Sequence, residues 1–538
     1  MQSFRILPIL GLKTNVPEND LTLFKQVGEG IAATYCVDGV NFNMIRNLNA
    51  TTKSFGSTKW SSAAAATATN CLGLFELYDS VNRTYWMMTG DNSSKGRIFR
   101  FNSSREPVRI SDVVDHSGAI EFAFHNADLY SCIQYGSNLV FSDFGEHTPY
   151  FADYNDTTVA KLLSSGTEYK SRYLELFQRR ILMAYTDQTN GDIEIRWSDA
   201  LPTPGSMSIS AGNQDFKPDD DSITGIKRFG QNACFLYGEN SIDSIDYYPD
   251  YLTPFGIRNM VAGNGATNHH SIVSTGDTHY FLNKNYGFVD YRGGTQFPAS
   301  GRPISYDIED IVSTINPNYY GTVVGSFIKN KNTLVWSVPL YGVSNPSHLL
   351  YYYIPEGKWF IENFPMRYVY SWISNDDLVW NDLSGLGFVY WSDFGTSAFT
   401  DYITTSQNMI VSNTDGYVYY KGGESNSGSN FEGYRIEPVM NFSGTGGFDL
   451  LNEIWFNFVE SGNFNIFCMY RGGDTLKECT NSAWEPLAAL SHNDPQNAVI
   501  YLQNKNNRWH QIKWGTSNKN ERFGVSAIEF KFVHQGKY

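Results

Sequence analysis

Three short stretches end in an aromatic residue followed by Ser-Asp. They are Leu139-Val140-Phe141-Ser142-Asp143, Ile193-Glu194-Ile195-Arg196-Trp197-Ser198-Asp199 and Phe388-Val389-Tyr390-Trp391-Ser392-Asp393, with a looser copy at Leu378-Val379-Trp380-Asn381-Asp382. Paired carboxylates across a pocket could hydrolyse a glycosidic bond. Asp143, Asp199 and Asp393, however, belong to a repeated phrase. A repeated Asp after a strand reads as a turn residue that accepts backbone N–H bonds, whereas a catalytic pair is singular. Ser392-Asp393-Phe394-Gly395-Thr396 matches only half of a sialidase-type Asp box, Ser-x-Asp-x-Gly-x-x-Trp, because its Ser directly precedes the Asp.

The other candidates read the same way. His269 and His270 are adjacent. Neighbours in a strand point to opposite faces and make a poor bidentate metal site. Asp219-Asp220-Asp221 lacks the Gly and Glu of an EF-hand and reads as a solvated acidic loop. Gly263-Asn264-Gly265-Ala266 lacks the Lys-Ser/Thr of a phosphate loop. Cys36 and Cys132 carry no cysteine-protease signature. The sequence therefore assigns no catalytic, cofactor-binding or metal-binding residue, and it reads as a structural protein without catalysis.

One sheet-like phrase used several times points to a radial or stacked β architecture. The 538 residues exceed what one hydrophobic core usually supports. Aromatic residues reach 15%, and there are 47 Gly, as sheet-rich chains with tight turns need. The net charge of −15 argues against a grip on nucleic-acid phosphates. It is compatible with a surface that DNA slides past, and equally with plain solubility. The six cysteines, Cys36, Cys71, Cys132, Cys234, Cys468 and Cys479, are scattered and read as buried free thiols in a reducing compartment. Met1 to Pro8 does not read as a secretory signal, and no apolar run reaches the roughly 18 residues of a membrane helix.

Along the chain, residues 1–60 read as an extended arm, with a strand pair about the Asp38-Gly39 turn. Residues 61–421 repeat one theme of apolar-aromatic strands and Gly or Asn turns, as in Cys234-Phe235-Leu236-Tyr237-Gly238-Glu239-Asn240-Ser241-Ile242 and Thr333-Leu334-Val335-Trp336-Ser337. Ile308, Ile311, Val312 and Ile315 follow helical spacing, with Ser305 or Asp307 as the cap. Val159 to Leu163 suggests a shorter helix, and Leu201 to Ser222 a projecting loop. Ala63 to Ala66 fits a helix start or a loop. Gly422 to Asn430 reads as a linker. Residues 431–538 then read as a separate β-sandwich or platform with partly alternating strands. The expected fold is all-β: an irregular β-propeller with an N-terminal arm and a C-terminal sandwich.

The order of phrases resembles the tail hub or nozzle proteins of short-tailed bacteriophages, also called packaged-DNA stabilisation proteins. The likeness rests on Leu10-Gly11-Leu12-Lys13-Thr14-Asn15, Asp38-Gly39-Val40-Asn41-Phe42, Phe235 to Ile242, Tyr280 to Phe288, Tyr352 to Trp359, and a closing basic-aromatic strand pair from Arg508 to Phe532. It departs from the usual opening at Lys53-Ser54-Phe55-Gly56, where an Arg-Pro-Gly is expected. The resemblance implies a homo-oligomeric ring of about six subunits in the virion tail, assembled in the host cytoplasm. Its neighbours would be portal and adaptor proteins on one side and tail fibre, spike or needle proteins on the other. DNA would pass through the lumen without sequence-specific binding, held back until ejection. Two other readings remain open: a propeller glycoside hydrolase, and a carbohydrate-binding host-recognition protein that uses aromatics such as Trp372 and Tyr368.

Overall fold

The computed structural model describes all but residues 1, 46–49, 55, 67, 80–81, 92–94, 111–112, 116–117, 121, 124–128, 154–159, 162–168, 187–190, 200–211, 216–220, 250–252, 375–405, 423–426, 445–446, 461–463, 493–497, 519–520, 522 and 537–538. The described chain is almost entirely β.

Among the described residues between 58 and 420 lie seven antiparallel sheets of three to five strands and a separate two-stranded ribbon, Val113–Asp115 with Gly118–Ile120. The first strands of the seven are Ala68–Asp79, Ser131–Tyr135, Ser171–Phe177, Ile223–Phe229, Val273–Ser274, Val324–Ile328 and Tyr368–Ser374. Along its main path each of the seven is a meander in chain order, with connections that range from tight turns to the long segment between Ser374 and Ser406. The first strands pack against one another in the same order, and the seventh packs back against the first. The seventh sheet takes its outer strand from the other end of the chain: Thr58 and Lys59 pair with Tyr420 and Tyr419.

Apolar cores lie between consecutive sheets. Trp86 and Met88 of the first meet Phe141 and Tyr150 of the second. Leu182 and Trp197 of the third meet Ile226 and Cys234 of the fourth. The largest cluster joins the fifth, sixth and seventh sheets through Phe288, Trp336, Trp359 and Trp372. A strand pressed between two sheets must be apolar on both sides. Thr333–Val338 is accordingly buried at every residue.

The remaining strands form two larger sheets that share one core. The first has the order β2 (Phe24–Gly28), β3 (Ile31–Thr34), β1 (Gln2–Leu7), then Gly524–Gly536, Phe448–Glu460 and Ala498–Asn507. The second joins β4 (Asp38–Val40), Gly433–Ile436, Trp509–Thr516 and Phe464–Gly473. Ile454, Phe456, Phe464, Trp514, Ile528 and Phe530 pack between them. The segment read as an arm is thus woven into this sandwich. β1 pairs parallel with β3 and antiparallel with the last strand, Gln2 opposite Phe532. Asp38-Gly39 is no hairpin turn, because both residues lie inside β4, opposite Ile436 and Arg435. β5 (Phe42–Ile45) and β6 (Ala50–Lys53) finish the N-terminal part. The chain leaves the sandwich after Lys53 and returns at Gly433, and the two points touch. A Cβ on Gly433 would lie 2.6 Å from the Asn41 carbonyl oxygen and 2.9 Å from Lys53 Cγ.

A buried polar cluster ties the two chain ends. Arg435 donates to Glu437 Oε1 (2.6 Å), Leu10 O (2.8 Å) and Thr34 O (2.7 Å). Glu437 also accepts from Thr34 Oγ1 (2.7 Å) and Trp514 Nε1 (3.0 Å). A buried ion pair needs this full complement of bonds to offset its desolvation.

The smaller expectations meet mixed outcomes. A 3-10 turn over Tyr306–Ile308 leads into α1 (Glu309–Val312), with Ile308, Ile311, Val312 and Ile315 buried. Ser305 occupies the cap position, but its hydroxyl accepts from Phe288 N instead of capping. Gly287, at φ +72°, lets this helix close in, since a Cβ there would lie 2.8 Å from both Ser305 Oγ and Val312 Cγ1. Ala160 and Lys161 are strand, not helix, paired with Phe151 and Tyr150. Within the segment read as a loop, Gly212–Asp215 is a strand paired with Glu194–Trp197. Ala63 to Ala66 forms no helix. Residues 378–382, 388–393, 219–220 and 423–426 lie outside the described residues.

Candidate functional site

The first strands of every sheet but the third border a half-open cavity of about 280 Å³. Leu74 and Phe75 line it from the first sheet, Cys132 from the second, Lys227 from the fourth and Tyr368 and Tyr370 from the seventh. Its fifth wall is a 3-10 turn, His269–Ser271, that precedes the short strand Val273–Ser274. Asn268 starts this turn by accepting from Ser271 N (2.6 Å), and its amide donates to Val323 O (3.1 Å). Gly225 lets the turn approach, since a Cβ there would sit 2.9 Å from His269 Cα. Lys227 lies two residues on and so shares the face of Gly225.

Among the described lining residues Lys227 carries the one formal charge. Its Nζ lies 3.9 Å from Glu175 Oε2. That carboxylate also accepts from Arg228 N (3.2 Å) and Leu176 N (3.0 Å), so it is shared between the ammonium and the backbone. Both histidines are neutral. Burial, followed by the repulsion of Lys227, holds His270 down to about 3 and His269 well below the usual imidazole range. His269 Nδ1 accepts from Ile226 N (3.4 Å), and its ring stacks on Tyr173. The buried Nε2 of His270 has no hydrogen-bond partner among the described residues. Burial pushes the Cys132 thiol and the Tyr368 and Tyr370 hydroxyls up. At neutral pH the site can attract an anion and offer neutral donors and acceptors. It holds no activated nucleophile.

The structure rearranges the sequence candidates. His269 and His270 are not on opposite faces of a strand. Both line the cavity, with ring planes 88° apart. No group of three or more His, Cys, Asp or Glu side chains gathers to hold a metal among the described residues. Asp143 follows the second strand of its sheet and Asp199 the third strand of the next, so the two are not equivalent. Asp143 is buried and accepts from His147 N (3.0 Å), whereas Asp199 is exposed. The serines beside them do the recurrent work. Ser142 donates to Ser171 O and Ser337 to Met366 O, each time reaching the first strand of the next sheet or the chain just before it. Ser198 accepts from Ile181 N (2.9 Å). Asp221 is buried and accepts from Asn240 N (2.8 Å) and Ser241 Oγ. All six cysteines are free, Cys36 with its thiol pushed up by burial to about 12. Trp372 and Tyr368 are buried and offer no exposed platform for a sugar. Sequence reasoning passed over Lys227, whose signal is a single cation in the inner strand Ile223–Phe229 beside a glycine.

No family model matches the sequence, and no curated protein matches it. Among solved structures, the exo-β-1,3-galactanase of Phanerochaete chrysosporium with galactose is 10% identical. The match covers 89% of this chain and 100% of that one, at a TM-score of 0.26. The extracellular domain of a one-component system from B. thetaiotaomicron is 11% identical, at a TM-score of 0.38. There the match covers 84% of this chain and 48% of that one, so the chain spans about half its length. Hsv2 of Kluyveromyces lactis is 9% identical over 60% of this chain and 97% of its own, at a TM-score of 0.31. None of these three is a phage tail protein, and likenesses at this level carry no argument about activity. No helix among the described residues is long and apolar enough to cross a membrane.

Proposed function

We propose that the protein is a structural subunit of a closed ring, in the manner of the tail hub or nozzle of short-tailed phages. In this reading the seven sheets are the blades of an irregular β-propeller and the sandwich is the platform through which copies join. The cyclic packing of the seven first strands, latched by Thr58 and Lys59, supports the propeller.

The observation that carries the ring is the pair of outer strands of the eight-stranded sheet. β2 ends the hydrogen-bonded order on one side and Ala498–Asn507 on the other. Both are exposed, with Val27 at 59% and Tyr501 at 74% accessibility. Edges left open at both ends of one sheet invite a head-to-tail contact, and a head-to-tail contact that closes makes a ring. Any passage for DNA lies between subunits. The cavity inside one subunit is far too small for a duplex whose major groove alone is about 12 Å wide.

Mass photometry with negative-stain microscopy tests this. Rings with a central hole, alone or on a portal-adaptor particle, are expected. Val27→Lys with Tyr501→Lys should leave the fold intact and abolish the rings. A protein that stays monomeric on such particles and turns over a polysaccharide overturns the reading in favour of a glycan enzyme.

A further inference from the structure

The cavity inside the ring of first strands has a composition that plain packing does not require. Its surface mixes apolar and aromatic side chains, among them Phe75, Ile272, Val324, Phe327 and Val369, with a larger share of polar surface. Into this setting the fourth sheet places one ammonium, Lys227. Its carboxylate partner is at the limit of ion-pair distance and already accepts two backbone N–H groups. The Lys227 side chain is about a third exposed, so its remaining donors are open to solvent or to a ligand. Beside it, His270 presents a buried Nε2 with no partner. A neutral imidazole has one donor and one acceptor nitrogen, and the tautomer with its proton on Nδ1 leaves Nε2 an acceptor. A buried acceptor without a donor is costly, and native proteins keep few of them.

We propose that this cavity binds a small organic anion that carries a hydroxyl group: the anionic end on Lys227, the hydroxyl donating to His270, and an aromatic or branched body against the apolar side chains. Apolar side chains with a few placed polar groups are what small-molecule sites are made of. The volume admits a single-ring compound.

The probe is 4-hydroxybenzoate, titrated calorimetrically into the full-length protein. Benzoate lacks the hydroxyl, 4-hydroxybenzamide lacks the charge, and inorganic phosphate lacks the body. One saturable site is expected, with each organic analogue about tenfold or more weaker, as the loss of one hydrogen bond to a charged or buried partner implies. Lys227→Met should remove the preference for the acid over the amide, and Lys227→Arg should retain it. His270→Phe should remove the preference for the hydroxyl. Circular dichroism and the unfolding midpoint establish that each variant is folded. The proposal is overturned if the folded protein shows no saturable binding. It is equally overturned if Lys227→Met still prefers the acid, or if phosphate binds as tightly as 4-hydroxybenzoate.

Discussion

Every residue of Thr333–Val338 is buried, whereas burial in Phe464–Gly473 alternates along most of the strand. The first strand lies between two sheets of the ring, and the second faces the sandwich core on one side only. The two regions also differ in where their partners come from. Most ring strands pair with the strand next in sequence, though Ser374 pairs with Ser406 across a long connection and the Thr58–Lys59 latch comes from the far end. Sandwich strands pair across nearly the whole chain, as Gln2 with Phe532. Local pairing forms early and distant pairing late, because closing a long loop costs entropy before any contact returns it. The ring can therefore organise sheet by sheet, while the sandwich waits for the last strand.

Arg435→Met attacks the sandwich where its two ends are tied, and it leaves Glu437 buried without its cation. A loss of about 3–5 kcal/mol is expected. Hydrogen exchange should show it in the strands of 2–53 and 433–536 before those of 68–420. Adding Glu437→Leu should recover much of the loss. Equal loss of protection in both regions would show that they unfold as one unit. Trp336→Phe makes the converse cut. It removes the indole donor of Ser271 O (3.0 Å) inside the ring, and a loss of about 1–3 kcal/mol is expected, confined to the ring.

Acid supplies the mildest contrast. In the ring, burial holds His270 and His279 down to about 3; in the sandwich it holds His510 down to about 4. The unfolded chain takes up these protons near pH 6.5 and the folded chain does not, so stability is full above that pH. It falls as pH drops from 6.5 towards 3–4. With more such histidines, the ring should lose protection more steeply than the sandwich, and His279→Phe should flatten the ring's profile.

The all-β character was legible in the apolar-aromatic runs, because strands buried on both faces are mostly apolar, with the few polar residues, such as Ser337, hydrogen-bonded. The helical spacing at Ile308 to Ile315 was legible because each of its four apolar residues had to be buried. The weaving of residues 2–53 into the sandwich was not, since no local pattern in Gln2–Leu7 names a partner more than 500 residues away. The aromatic-Ser-Asp phrase drew attention to the wrong member. Asp is conspicuous as a charge, yet beside Asp143 it is the hydroxyl of Ser142 that cross-links adjacent sheets. Two histidines in succession looked divergent because a strand was assumed. A 3-10 turn, admitted by Gly225, brings both to one cavity.

The contact between Lys53 and Gly433 has a consequence for how the molecule can be taken apart. Topologically the seven sheets are a cassette carried in one loop of the sandwich, and the loop opens and closes at a single spot. A short graft from 53 to 433 would excise the cassette without stretching any sandwich strand. It would uncover the ring-facing side of Leu12 and Phe42, which now bridges to Trp359 and packs on Phe360.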